Sequence, residues 1–251
     1  MNEYSFIDKS RKRNYADKGE IRCGSDYSRQ ETSLNQVISK PRKKRRTASK
    51  EEWQTQLIKA TIRSIAKHGL SVTTMATVSA EAGLSQGIIN LHFKSKDRLL
   101  EETLLFIVDE YRTAWRKALQ NSDGSAAERL ATMMSVDFNK RICQRNKLAV
   151  WFAFWGESRS RLTYRKICAD HGQEYKQVLT GLCEEIIEEG RYELNASNVA
   201  TGLMAMSVGL WLDLLLSPAE VSPDQAMEIS QSYLKGVFSR HFSSQSRGEG
   251  V

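Results

Sequence analysis

From Ser49 to His241 the apolar residues of this chain recur three and four positions apart, and no segment alternates apolar and polar residues in the manner of a strand. Three prolines occur, Pro41, Pro218 and Pro223, each at a boundary between such segments. The pattern predicts an all-α fold. Ser49 and Glu52 have capping-box spacing, and Trp53, Leu57, Ile58, Ala60, Ile62, Ile65 and Ala66 form the apolar face of a first helix that stops at Gly69. A Thr cap then opens a short helix through Met75, Val78 and Ala82, and Gly83 breaks it. Ser85 is placed to cap a third helix, Gln86 to His92, anchored by Ile88 and Ile89. Two short helices joined by a tight Gly-containing turn have the form of a helix-turn-helix. Longer helices follow: about Asp97–Leu119 with Ser95 as cap, Ser125–Cys143, Asn146–Glu157, Ser160–Glu189, Ser197–Leu216, and a last one from Ser222-Pro223 to near His241.

Charge divides the chain differently. Residues 1–50 carry 14 Lys/Arg against 6 Asp/Glu, whereas residues 51–251 carry 23 against 24. Residues 1–46 lack apolar periodicity and end in Pro41-Arg42-Lys43-Lys44-Arg45-Arg46, which predicts a disordered basic tail. Three readings of it stand: a DNA-contacting arm beside the main reader, a solvated extension, or a segment upstream of the natural start. The last residues, 244–251, are expected to be a flexible terminus.

Residues 53–105 resemble the TetR family of bacterial regulators. The resemblance rests on His68-Gly69-Leu70, on Thr74 to Ser85, on Gly87-Ile88-Ile89, and on His92-Phe93-Lys94-Ser95-Lys96-Asp97 with Leu99-Leu100. It implies a homodimer that inserts the third helix into the major groove of a palindromic double-stranded DNA operator. The expected division is a DNA-binding domain at 47–96 and a ligand-binding and dimerisation domain at 97–243. Gln86, Gly87 and Asn90 lie on the exposed face of the third helix, where Gln and Asn suit adenine edges. Thr74, Ser85, Lys94 and Lys96 are placed to hold phosphates, and His92 joins the DNA-binding set through the matched motif. The family often carries Tyr, commonly a phosphate ligand, where this chain has Asn90 and Leu91. Leu91 cannot hydrogen-bond, which sets this chain apart from that pattern.

Further along, Trp151-Phe152-Ala153-Phe154-Trp155, Tyr164-Arg165 and Gly209-Leu210-Trp211-Leu212 resemble the choline-responsive, betaine-pathway branch of the same family. Trp151 and Trp155 are four residues apart and share a helix face. With Trp211 they form either an aromatic box for a quaternary ammonium inducer, with Asp137 or Asp213 as counter-charge, or ordinary core packing. The last two long helices are expected to form the dimer interface, because the apolar segment 197–216 needs a partner face.

Other classes find little support. The chain lacks a Gly-rich phosphate loop, a Gly-x-Ser-x-Gly and a His-Glu-x-x-His, so no enzyme activity and no cofactor are expected. Cys23, Cys143, Cys168 and Cys183 form no Cys-x-x-Cys pair, and the four histidines stand apart, so no metal is expected. The N-terminus lacks a signal-peptide pattern, and Leu148–Trp155 and Met204–Leu216 are too short or interrupted to span a bilayer. The resemblance implies a repressor released by a small-molecule inducer, and a cytoplasmic location is expected. The alternative is an all-helical interaction or RNA-binding protein acting through the basic tail.

Overall fold

A computed structural model describes residues 49–242; the expectations for the tail 1–46, for Cys23 and for 244–251 lie outside them. Ten helices and no strand occur among the described residues. The first three are α1 (Lys50–His68), α2 (Met75–Ala82) and α3 (Gln86–His92). The expected capping box is formed: Ser49 Oγ accepts from Glu52 N at 3.2 Å, and the Glu52 carboxylate accepts from Ser49 N at 2.6 Å. Thr74 caps α2 in the same way with Thr77 as its partner. Gly83 turns the chain at φ 65°, ψ 31°, a left-handed conformation that costs other residues about 1–2 kcal/mol. Ser85 stands at the start of α3, but its side chain makes no capping bond there.

The remaining helices are α4 (Lys96–Gln120), α5 (Ala126–Asp137), α6 (Arg145–Glu157), α7 (Leu162–Gly190), α8 (Ala196–Leu216), α9 (Pro223–Val237) and α10 (Ser239–Phe242). Two expected helices are shorter than the sequence suggested. The fifth ends at Asp137 rather than near Cys143. There the Asn139 side chain accepts from Arg141 N at 2.9 Å, and the Asn139 carbonyl accepts from Ile142 and Cys143. An Asn that bonds its own backbone in this way ends a helix. The last helix breaks at Phe238, which is fully buried with a non-helical ψ of 55°.

One core runs through the described residues, from Leu57 and Ile89 to Leu234 and Phe238. Helix α4 links its two ends: it begins three residues after α3 and packs against α1, α5, α6 and α7. Helix α6 packs against α1, α7 and α8. Thus the helix carrying Trp151 and Trp155 touches α1, which also packs against α2 and α3. Helix α8, 21 residues long, is apolar and long enough to cross a membrane by length and composition. Its Leu203, Leu210, Trp211 and Leu214 are nonetheless buried in the bundle, while Val208, Leu212 and Leu216 are exposed.

Candidate functional site

Two places collect the polar and aromatic residues singled out by the sequence. The first is the exposed face of α3. Arg63 of α1 pairs with Glu81 of α2 at 2.7 Å, and Gln56 donates to the Ala82 carbonyl at 2.9 Å. The buried hydroxyls of Ser64 and Thr73 bond at 3.1 Å. On this frame Ile89 is fully buried and Ile88 half-buried, which leaves Gln86, Gly87, Asn90 and Leu91 outward. Ser79 Oγ donates to Gln86 Oε1 at 3.2 Å, and Gln86 Nε2 donates to Asn90 Oδ1 at 3.4 Å. The two expected reading residues are therefore tethered to each other and to α2 before any ligand arrives.

The expected phosphate ligands divide into two groups. Ser85 and Lys94 are exposed. Thr74 and Lys96 have partners already: the Thr74 hydroxyl accepts from Thr77 N at 3.1 Å, and Lys96 Nζ donates to the Ser71 carbonyl at 3.0 Å. Lys96 thereby ties the first turn of α4 to the turn between α1 and α2. His92 is half-buried, and its Nδ1 has no hydrogen-bond partner among the described residues.

The second place is a cavity between α4, α5, α6, α7 and α8. Trp151, Trp155 and Trp211 converge there, with ring centroids 5.6 Å (Trp151–Trp155), 6.3 Å (Trp151–Trp211) and 6.5 Å (Trp155–Trp211) apart. Tyr111, which the sequence did not single out, lies 5.5 Å from Trp211 and 5.2 Å from His171. Tyr175, Ser207 and Cys168 complete the polar and sulfur lining. Periodicity held a signal for some of these: Met204, Ser207, Val208 and Trp211 recur at i, i+3, i+4 and i+7, and His171 and Tyr175 at i, i+4.

Among the described residues the one carboxyl group in this lining belongs to Asp137, the last residue of α5, and it is fully buried. Its carboxylate accepts from the hydroxyls of Tyr111 and Tyr175, the latter at 3.1 Å, and its own carbonyl accepts from Trp211 Nε1 at 2.8 Å. Burial pushes its pKa up to about 6, with the hydroxyl donors pulling the other way. No Lys or Arg among the described residues lines the cavity. The His171 imidazole is held neutral, its pKa lowered to about 4 by burial, with the Arg112 charge adding to the effect. The acid also sits at the negative end of the α5 dipole, where a carboxylate is disfavoured. The other candidate counter-charge, Asp213, is excluded: it is exposed and does not line the cavity. Burial raises the thiol pKa of Cys168 and takes that of Cys183 to about 12, and both cysteines are free.

A helix-turn-helix mounted on a larger helical domain defines a class, the helix-turn-helix transcriptional regulators. Residues 57–103 match the bacterial regulatory proteins of the tetR family, and residues 126–239 match the C-terminal region of BetI-type transcriptional repressors. The HTH-type transcriptional regulator BetI of Burkholderia mallei is 30% identical over 186 residues, 74% of this chain and 93% of the relative. A transcriptional regulator from Pseudomonas aeruginosa PAO1 superposes with a TM-score of 0.68 at 29% identity, covering 78% of this chain and 95% of its own. A regulator from Saccharomonospora viridis, solved in complex with choline, shares the fold at 22% identity and a TM-score of 0.66, over 74% of this chain and 96% of its own. The chain belongs to the TetR family of DNA-binding transcriptional regulators and is a BetI-like repressor. The alternative reading, an RNA-binding or interaction protein acting through the tail, gives way to this one.

Proposed function

We propose that this regulator is a cytoplasmic homodimer that binds a palindromic operator through α3 and is released when a small organic cation of the choline type enters the cavity. Residues 47–96 form the reader and residues 97–243 the sensor and dimerisation unit. Gln86, Gly87 and Asn90 meet base edges, with Thr74, Ser85, His92, Lys94 and Lys96 at the phosphates or holding the reader in place. The cation lies against Trp151, Trp155 and Trp211. The protein acts by binding alone.

One observation carries the choice of ligand: Asp137 is a fully buried carboxylate in an aromatic cavity to which the described residues bring no Lys or Arg. A buried charge without a partner is costly, and a cation from outside supplies the missing partner while aromatic faces attract the same charge.

The dimer rests on the exposed apolar stripe of α8, Val208, Leu212 and Leu216, beside Ile229 and Tyr233 of α9. Pairing these faces about a two-fold axis buries them and sets two copies of α3 roughly 34 Å apart, one turn of duplex. Signal transfer uses elements that touch: α6 carries Trp151 and Trp155 and packs on α1, and α4 carries Tyr111 and starts just after α3. A cation that binds one spacing of the readers better than another shifts DNA affinity by that difference.

The test is release of a selected operator by choline, compared with an uncharged isostere in which carbon replaces nitrogen. Release by choline at concentrations where the isostere is inert supports the reading. Equal release by the isostere removes the charge from the account, and no release by either leaves the tryptophans as core.

A further inference from the structure

Leu91 is the most exposed large apolar residue among those described, 79% accessible at the end of the reading helix. The fold does not need it for packing, since Ile89 and Phe93 already anchor α3. It lies one turn after Gly87, so the two share a stripe of the helix surface. A glycine in a helix is less favourable than an alanine. Packing does not account for it, because a Cβ at Gly87 would meet only Ser85 Oγ at 3.7 Å. Gly87 thus leaves a gap on the outer face, with Leu91 projecting beside it and the tethered amides of Gln86 and Asn90 alongside.

A base edge with matching chemistry exists. In the major groove only thymine presents a methyl group, and it presents the O4 acceptor next to that methyl. Asn90 Oδ1 is taken up by Gln86, which leaves the Asn90 N–H groups as donors toward the groove. Adjacent residues of the helix therefore offer a donor and an apolar surface, the two groups that pair with the acceptor and the methyl of a thymine edge. We infer that Leu91 reads the 5-methyl group of one thymine in each operator half-site. Gly87 lets the helix come close enough for that approach. The inference rests on α3 being the DNA reader and adds the identity of a base.

The experiment uses the full chain and an operator obtained by selection from random duplexes. Each thymine of the half-site is replaced in turn by uracil, which deletes the methyl and leaves every hydrogen-bonding group in place. The expected result is one position per half-site at which uracil weakens binding by about four-fold, the worth of one buried methyl, and by about fifteen-fold when both half-sites are changed. Leu91→Ala should bind the thymine operator about as weakly as the parent binds the uracil one, and should not distinguish the two. Exposure of Leu91 means this variant folds, and its melting temperature should match the parent's. A parent indifferent to uracil at every position overturns the inference and leaves the reader assignment intact. A variant as sensitive to uracil as the parent overturns it too. Failure of the parent to select any duplex overturns the reader assignment itself.

Discussion

Replacing Asp137 by Asn removes one charge and little else, and the structure sets two opposite consequences. The amide oxygen can still accept from Tyr111 and Tyr175, and the backbone carbonyl that holds Trp211 is untouched. A cation about 5 Å from the carboxylate, at an effective dielectric of about 20, gains about 3 kcal/mol. Asp137→Asn should therefore weaken choline binding by about 200-fold. Stability moves the other way. The folded carboxyl, at about 6, holds its proton more tightly than the unfolded one, at 3.8. The stability contributed by that proton is complete below pH 4 and declines as pH rises from about 4 to about 6, by about 3 kcal/mol in all. Asn does not ionise, so the variant should lack this decline and melt higher than the parent at pH 7.5. Thermal unfolding between pH 4 and 8 and tryptophan-fluorescence titration with choline measure the two effects. A variant that is less stable at pH 7.5, or that binds choline like the parent, refutes the view that the fold tolerates a costly acid for the sake of a cation.

The ionised carboxylate is the form that binds, so choline affinity of the parent should be complete above about pH 7 and fall about ten-fold per unit below about pH 6, seen in the same titration. Gln86→Ala and Asn90→Ala should each cost about 1–3 kcal/mol on the selected operator and leave random duplex binding unchanged, as mobility shifts will register. Lys94→Ala should weaken all duplexes alike and lower the salt slope by about 1 for each phosphate that is no longer neutralised. Leu212→Glu with Ile229→Glu places charge on the exposed stripe of α8 and α9. Sedimentation should show monomers, and cooperative operator binding should disappear. Phe154→Ala empties a fully buried site against Tyr164 and should destabilise the fold by about 3–5 kcal/mol in denaturant unfolding.

Local signals carried much of this fold. Ser49, Thr74, Ser95 and Ser222 each mark a helix start because their hydroxyls cap nearby amides, and that chemistry is written in a few adjacent residues. Ends were less legible where the stop depends on a side chain folding back, as Asn139 does, or on tertiary burial, as at Phe238. The tryptophans could be grouped by spacing and resemblance, but Tyr111 could not. It reaches Asp137 across 26 residues, a pairing fixed by how α4 crosses α5 and not by periodicity within either. The choice between Asp137 and Asp213 likewise depends on which helix face turns inward. Lys96 shows a tie that its place in the motif did not suggest: its ammonium holds the Ser71 carbonyl.

The central claim is that one cavity and one reading face are energetically coupled, and reciprocity tests it most directly. Operator affinity is measured with and without saturating choline, and choline affinity with and without saturating operator, at one salt concentration and pH 7.5. If the cavity controls the reader, both affinities fall by the same factor, about 5–150-fold, as linkage requires. If choline binds with operator affinity unchanged, or the operator leaves choline binding unaltered, the cavity and the reader are independent and the account is wrong.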